Sequence, residues 1–106
     1  MPTLLFQARD ITENFSNAYV EQGQQYQQQG RVRDIKISAD GSKIQSKVDG
    51  SRKKPYQVNI AVVLENDDVW LDGTCSCPIG YNCKHVTATL WQILTHQSSS
   101  SIPEDI

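Results

Sequence analysis

The sequence predicts an α+β fold: an N-terminal helix, an antiparallel β-meander of three to four strands, a turn dense in cysteine and histidine, and a C-terminal helix. Three observations carry this. Ile11, Phe15, Ala18, Tyr19 and Tyr26 recur close to helical spacing. Ile44, Ser46 and Val48, and then Tyr56, Val58, Ile60 and Val62, alternate with polar residues, the signature of half-buried strands. After the Cys/His segment, Val86, Leu90, Ile93 and Leu94 return to a helical stripe.

Taken in order, residues 1–9 read as a lead-in, with Thr3-Leu4-Leu5-Phe6 available as an extra strand. Asp10 followed by Glu13 has the form of a capping box, so the first helix is expected to open there. Gly23 marks a break in that helix or a close backbone contact, since glycine costs about 1 kcal/mol against alanine in a helix. Gly30 is a natural stop. In Arg31–Ser38, Val32 and Ile35 are out of phase, which predicts a bulge. Asp40-Gly41 and Asp49-Gly50 are turn signals around the strand over 43–49, and Glu65-Asn-Asp-Asp68 turns the chain into a fourth strand. In that strand Val69, Leu71, Gly73, Cys75 and Cys77 share one face. Ala88 and Trp91 are expected to pack in the closing helix, Ser98–Ser101 and the acidic end to form a disordered tail or linker. The division is then 1–9 lead-in, 10–97 domain and 98–106 tail.

A chain of 106 residues with 38% hydrophobic content makes one domain with a modest core. The net charge of -2 is unevenly spread. Residues 31–54 hold eight basic and three acidic side chains, the rest of the chain two and nine. An anionic partner must therefore be caught by a local patch. No run approaches the ~20 apolar residues of a membrane span, and the start lacks the pattern of a signal peptide. The expected location is cytoplasmic, or nuclear in a cell with a nucleus, and no membrane partner is expected.

All three cysteines and one of the two histidines fall in Cys75-Ser-Cys77-Pro-Ile-Gly-Tyr-Asn-Cys83-Lys-His85. Zn²⁺ favours thiolate and imidazole in a closed tetrahedral set, and these four residues supply one. The reading is a single structural Zn²⁺ on Cys75, Cys77, Cys83 and His85. The competing readings are buried inert cysteines, a strained Cys75–Cys77 disulfide or a redox pair. An odd cysteine count and the lack of Cys-x-x-Cys weigh against the last two. Zinc of this kind contributes on the order of 10–16 kcal/mol, comparable to a whole domain's stability. With four protein ligands no position is left for a reacting water, and no carboxylate adjoins the turn, so no catalytic residue and no enzymatic activity is expected. His96 stands alone beyond the helix and reads as a surface residue.

The order Cys-x-Cys, short loop, Cys-x-His, followed at once by Val86-Thr-Ala-Thr-Leu90-Trp-Gln-Ile93-Leu94, resembles the SWIM-type zinc finger. The upstream helix with Tyr26, ending Gln29-Gly30-Arg31-Val32, and the strand leading into Leu71-Asp-Gly-Thr-Cys75 are similar to the SWIM modules at the N-termini of bacterial Swi/Snf-type helicases. The resemblance covers about residues 10 to 95. It implies zinc on the same four residues, a role in binding DNA or protein, and a helicase or ATPase region on the same or another chain.

Two functions follow as expectations. The first is a zinc-stabilised accessory DNA-binding module. Its contacts would be Lys43, Lys47, Arg52, Lys53, Lys54 and Lys84, with Tyr56 and Tyr81 for stacking. The second is a protein-interaction module whose zinc only shapes a docking surface. A thiol-based redox sensor is a third option. No Gly-x-x-x-x-Gly-Lys-Ser/Thr loop occurs, so motor activity would lie elsewhere.

Overall fold

The computed structural model describes residues 5–50 and 53–104, the side chains of 96–104 excepted. The chain runs α1 (Ala8–Asn14), α2 (Asn17–Gln28), β1 (Val32–Ile37), β2 (Lys43–Val48), β3 (Tyr56–Glu65), β4 (Asp68–Cys75) and α3 (Lys84–Glu104). The strands form one antiparallel sheet in the order β1-β2-β3-β4, so the α+β meander is the observed fold.

The alternating residues do what their period requires. Ile44, Ser46 and Val48 of β2, and Tyr56, Val58, Ile60 and Val62 of β3, point to one face and are buried. Helix α3 covers that face, with Val86, Ala88 and Leu90 fully enclosed. Helix α2 packs on α3 rather than on the sheet, which leaves the opposite face of the sheet uncovered by helices. The inner face carries a buried polar bridge, Ser46 Oγ to Thr89 Oγ1 at 2.6 Å. Trp91 packs at the margin of the core, as expected.

The expected bulge lies between Arg33 and Lys36, where the register with β2 shifts and Asp34 takes φ 55°. Gly30 ends α2 with φ 71°. Asn66 and Asp67 both have positive φ, the backbone of a two-residue hairpin turn that matches strand twist.

Four expectations need correction. The first helix begins at Ala8, so Asp10 is its third residue and not its cap; the backbone N–H of Gln7 donates to Asp10 Oδ2 at 2.7 Å. The helix then breaks at Phe15 and Ser16, both extended, and not at Gly23. Burying Phe15 while Ser16 Oγ caps the next helix through Tyr19 N–H makes the break favourable. Gly23 is instead the close contact, because a Cβ there would run into Thr87 and the backbone of Ala88 on α3. Of the proposed N-terminal strand, Thr3 and Leu4 lie outside the described residues; Leu5 and Phe6 form no strand, and Phe6 is buried in the core. The backbone of 98–104, within the segment expected as a disordered tail or linker, is helical and continues α3.

The outer edge of β4 is closed by two asparagines. Asn14 Nδ2 donates to Val69 O at 3.1 Å while its Oδ1 accepts from Leu71 N–H at 3.2 Å. Asn82 Oδ1 accepts from Gly73 N–H at 2.7 Å while its Nδ2 donates to Leu71 O at 3.3 Å. These amides take the place of a fifth strand, so the edge offers few open groups for pairing with another chain.

Candidate metal centre

The period-2 face of β4 delivers Cys75 to the inner side at the strand's end. Beyond it the chain reverses through Gly80 (φ 79°) and Asn82 (φ 43°), two residue types that accept the left-handed region. The reversal is held by Cys75 N–H to Gly80 O at 3.0 Å and Asn82 N–H to Gly73 O at 2.8 Å. Cys83 and His85 then arrive at the start of α3, the Cys83 carbonyl accepting from Val86 N–H at 3.1 Å. Gly73 lets that helix come close, because any Cβ there would overlap Val86.

The result is a tight four-residue cluster. One ligand atom each from Cys75, Cys77, Cys83 and His85 lies within 4.8 Å of the others. Cys77 Sγ to Cys83 Sγ is 3.5 Å, and His85 Nδ1 is 3.4 Å from Cys83 Sγ and 3.6 Å from Cys75 Sγ. A tetrahedral ion with Zn–S and Zn–N bonds of ordinary length demands edges of about 3.8 Å for S···S and about 3.6 Å for S···N. These three edges are within a few tenths of an ångström of those values, and the remaining ones reach at most 4.8 Å. His85 faces the sulfurs through Nδ1, which makes that nitrogen its ligand atom.

The electrostatics make the same demand. The hydrogen bond from Cys75, with others from His85 and the Val86 backbone, holds the Cys83 thiol well below the usual thiol range. The same Cys83 contact, and then burial, pushes Cys75 up. Three sulfurs this close cannot all carry charge without a cation among them, and a divalent ion supplies it.

A second layer fixes the imidazole. His85 is 4% exposed and lies between two aromatic rings, Tyr56 at 4.6 Å and Tyr26 at 5.5 Å between centroids. Arg31 and Lys84 both lie over the ring of Tyr26, at 4.7 and 5.1 Å. Tyr56, expected to stack on a ligand, is therefore buried against the metal site and not offered to a partner.

Residues 56–94 match the family model of the SWIM zinc finger. The match takes in β3, β4, the ligand turn and the first half of α3; α1, α2, β1 and β2 lie outside it. No curated protein and no solved structure matches the chain. The SWIM zinc-finger match and the geometry agree on one structural Zn²⁺ at Cys75, Cys77, Cys83 and His85, the site of a zinc-binding module. Its chemistry is to cross-link the last strand to the last helix.

The basic residues named from the sequence do not share one surface. Lys43 and Lys47 are exposed on the uncovered face of the sheet, with Lys47 Nζ 3.9 Å from Asp34. Lys53 and Lys54 are exposed in the β2–β3 loop, at the zinc end. Lys84 lies against α2 on the helical side. Arg52 and the side chain of His96 fall outside the described residues. Asn82, Tyr26 and Gly73 are parts of the site that sequence reasoning missed; only an asparagine beside Cys83, where the chain must reverse, was a signal. No helix among the described residues is long and apolar enough to cross a membrane.

Proposed function

We propose that this chain is a zinc-stabilised accessory DNA-binding module working beside a helicase or ATPase region, in the cytoplasm or nucleus, with no catalytic activity of its own. The observation that carries the reading is the charge of the sheet. Residues 31–54 are strongly basic in an otherwise acidic chain, and Lys43 and Lys47 stand on the face that no helix covers. Such residues neutralise phosphates without reading sequence. The zinc would act at a distance, holding the sheet and α3 in register so that the basic face keeps its shape. The helicase connection rests on the likeness of the upstream helix and strands to bacterial SWIM modules.

The test is an anisotropy titration of the zinc-loaded chain with labelled DNA at about 50 mM salt. Binding that weakens steeply with salt, and on neutralising Lys43, Lys47, Arg52, Lys53 and Lys54, supports the reading. No binding at that salt defeats it.

A second reading has an observation of its own. Val63, Leu64 and Trp70 at the β3–β4 tip, and Ile79 in the zinc turn, are large apolar side chains more than a third exposed. A protein-interaction module would use them. Capture of a partner that survives neutralisation of the lysines but is lost with Leu64→Ser and Ile79→Ser would favour it.

A further inference from the structure

The uncovered face of the sheet carries more than charge. Strand alternation places Trp70 of β4 outward, between inward-facing Val69 and Leu71, and Trp70 is 53% exposed. Tyr81 bridges to Thr74 along the edge of β4 and is 54% exposed. Its hydroxyl donates to Asp72 at 2.6 Å, which fixes the phenol and engages the one acid that β4 presents to the open depression on this face. Two large aromatic rings thus stand at one side of the sheet face, with exposed Val63 opposite Trp70.

The other side is basic. By register Arg33 lies opposite Lys47 and Lys36 opposite Gln45, with Lys43 two residues beyond Gln45 on the same face of β2. Arg33 pairs with Asp49 and Lys47 with Asp34, whereas among the described residues no ion pair engages Lys36 or Lys43. Between the cations and the rings, small Ala61 and the amides of Gln45 and Asn59 leave two adjoining open depressions of about 480 and 320 Å³, both lined by Gln45 and Asn59. At ordinary strand spacing the four-stranded face is about 14 Å across.

We propose that this face is a track for single-stranded nucleic acid, with Trp70 and Tyr81 as stacking platforms for bases and Lys36 and Lys43 as phosphate contacts. The inference rests on the DNA-binding reading above and narrows it to one surface and one strandedness. Positive charge complements the phosphates, but charge alone would serve a duplex equally. The exposed rings decide the matter, because only an unstacked base presents a free π-face to an aromatic side chain. The amides between them can meet base edges. Lys84, on the helical side, takes no part.

The experiment compares labelled oligothymidylate and oligouridylate of about 20 nucleotides with a duplex of equal length, at about 50 mM salt, using the full zinc-loaded chain. Both single strands should bind more tightly than the duplex and quench tryptophan fluorescence. Trp70→Ala and Tyr81→Ala should each weaken single-strand binding at least about fivefold. Lys36→Gln with Lys43→Gln should reduce the salt slope by about 1.4. Zinc content and circular dichroism of each variant establish that it is folded. Duplex preference, or unchanged single-strand affinity in both aromatic variants, overturns this surface while leaving a DNA-binding module standing. Failure of all three probes to bind removes the DNA-binding reading itself, and protein capture through Trp70 would then replace it.

Discussion

Gly73 and Asn82 exchange backbone and side-chain hydrogen bonds: Gly73 N–H donates to Asn82 Oδ1 at 2.7 Å, and Asn82 N–H donates to Gly73 O at 2.8 Å. The exchange ties the residue before Cys83 back onto the strand that carries Cys75, so the two halves of the ligand set are aligned by the turn between them. Asn82 does this with a positive φ. Asn82→Ala should cost about 2–3 kcal/mol, from the lost hydrogen bonds and the left-handed backbone, and lower zinc affinity. Asn82→Gly relieves the backbone strain alone and should recover only part. Urea unfolding and a competitive chelator titration measure both; full recovery in Asn82→Gly would refute a role for the amide, and equal behaviour of the two variants would refute the backbone contribution.

Zinc should be the main support of the β4–α3 junction. Cys83 is wholly buried in the cluster. The purified chain should carry about one zinc, and Cys83→Ser should lose it. Hydrogen exchange should then rise first in residues 73–90, where the turn and the start of α3 depend on the ion. Full protection retained there after metal removal would show that packing alone holds the junction.

Gly23→Ala should destabilise the domain by about 1–3 kcal/mol, through overpacking against Thr87 and Ala88. Helix propensity by itself predicts the opposite sign, a gain of about 1 kcal/mol. The sign of the change in a denaturant titration separates local preference from the packing of α2 on α3.

Asp40 gives the pH dependence of the β1–β2 turn. Its carboxylate accepts from Ser42 N–H at 3.0 Å and from the hydroxyls of Ser38 and Ser42 at 2.8 Å, and these bonds lower it from 3.8 to about 2. A folded-state value below the unfolded one means that its contribution is present above about pH 4 and is lost as the pH falls through about 2. Carbon NMR of the side chain should show a midpoint near 2. A midpoint at the ordinary aspartate value would mean that the turn's hydrogen bonds do not persist in solution.

The sequence by itself determined the ligand set, the alternating strands, the bulge and the closing helix. Each is local: a strand's period of two sorts Val58 from Asn59 before any partner is known, and thiolate and imidazole declare their metal preference within eleven residues. Only the tertiary structure decided where the first helix breaks, that Gly23 faces Thr87, that Asn14 and Asn82 close the edge of β4, and that Lys84 and Lys43 lie on opposite sides of the sheet. Those outcomes depend on contacts between residues far apart in the chain, Gly23 and Thr87 being 64 positions from each other. Periodicity carries no information about what lies across such a gap, because the partner is set by how whole elements pack.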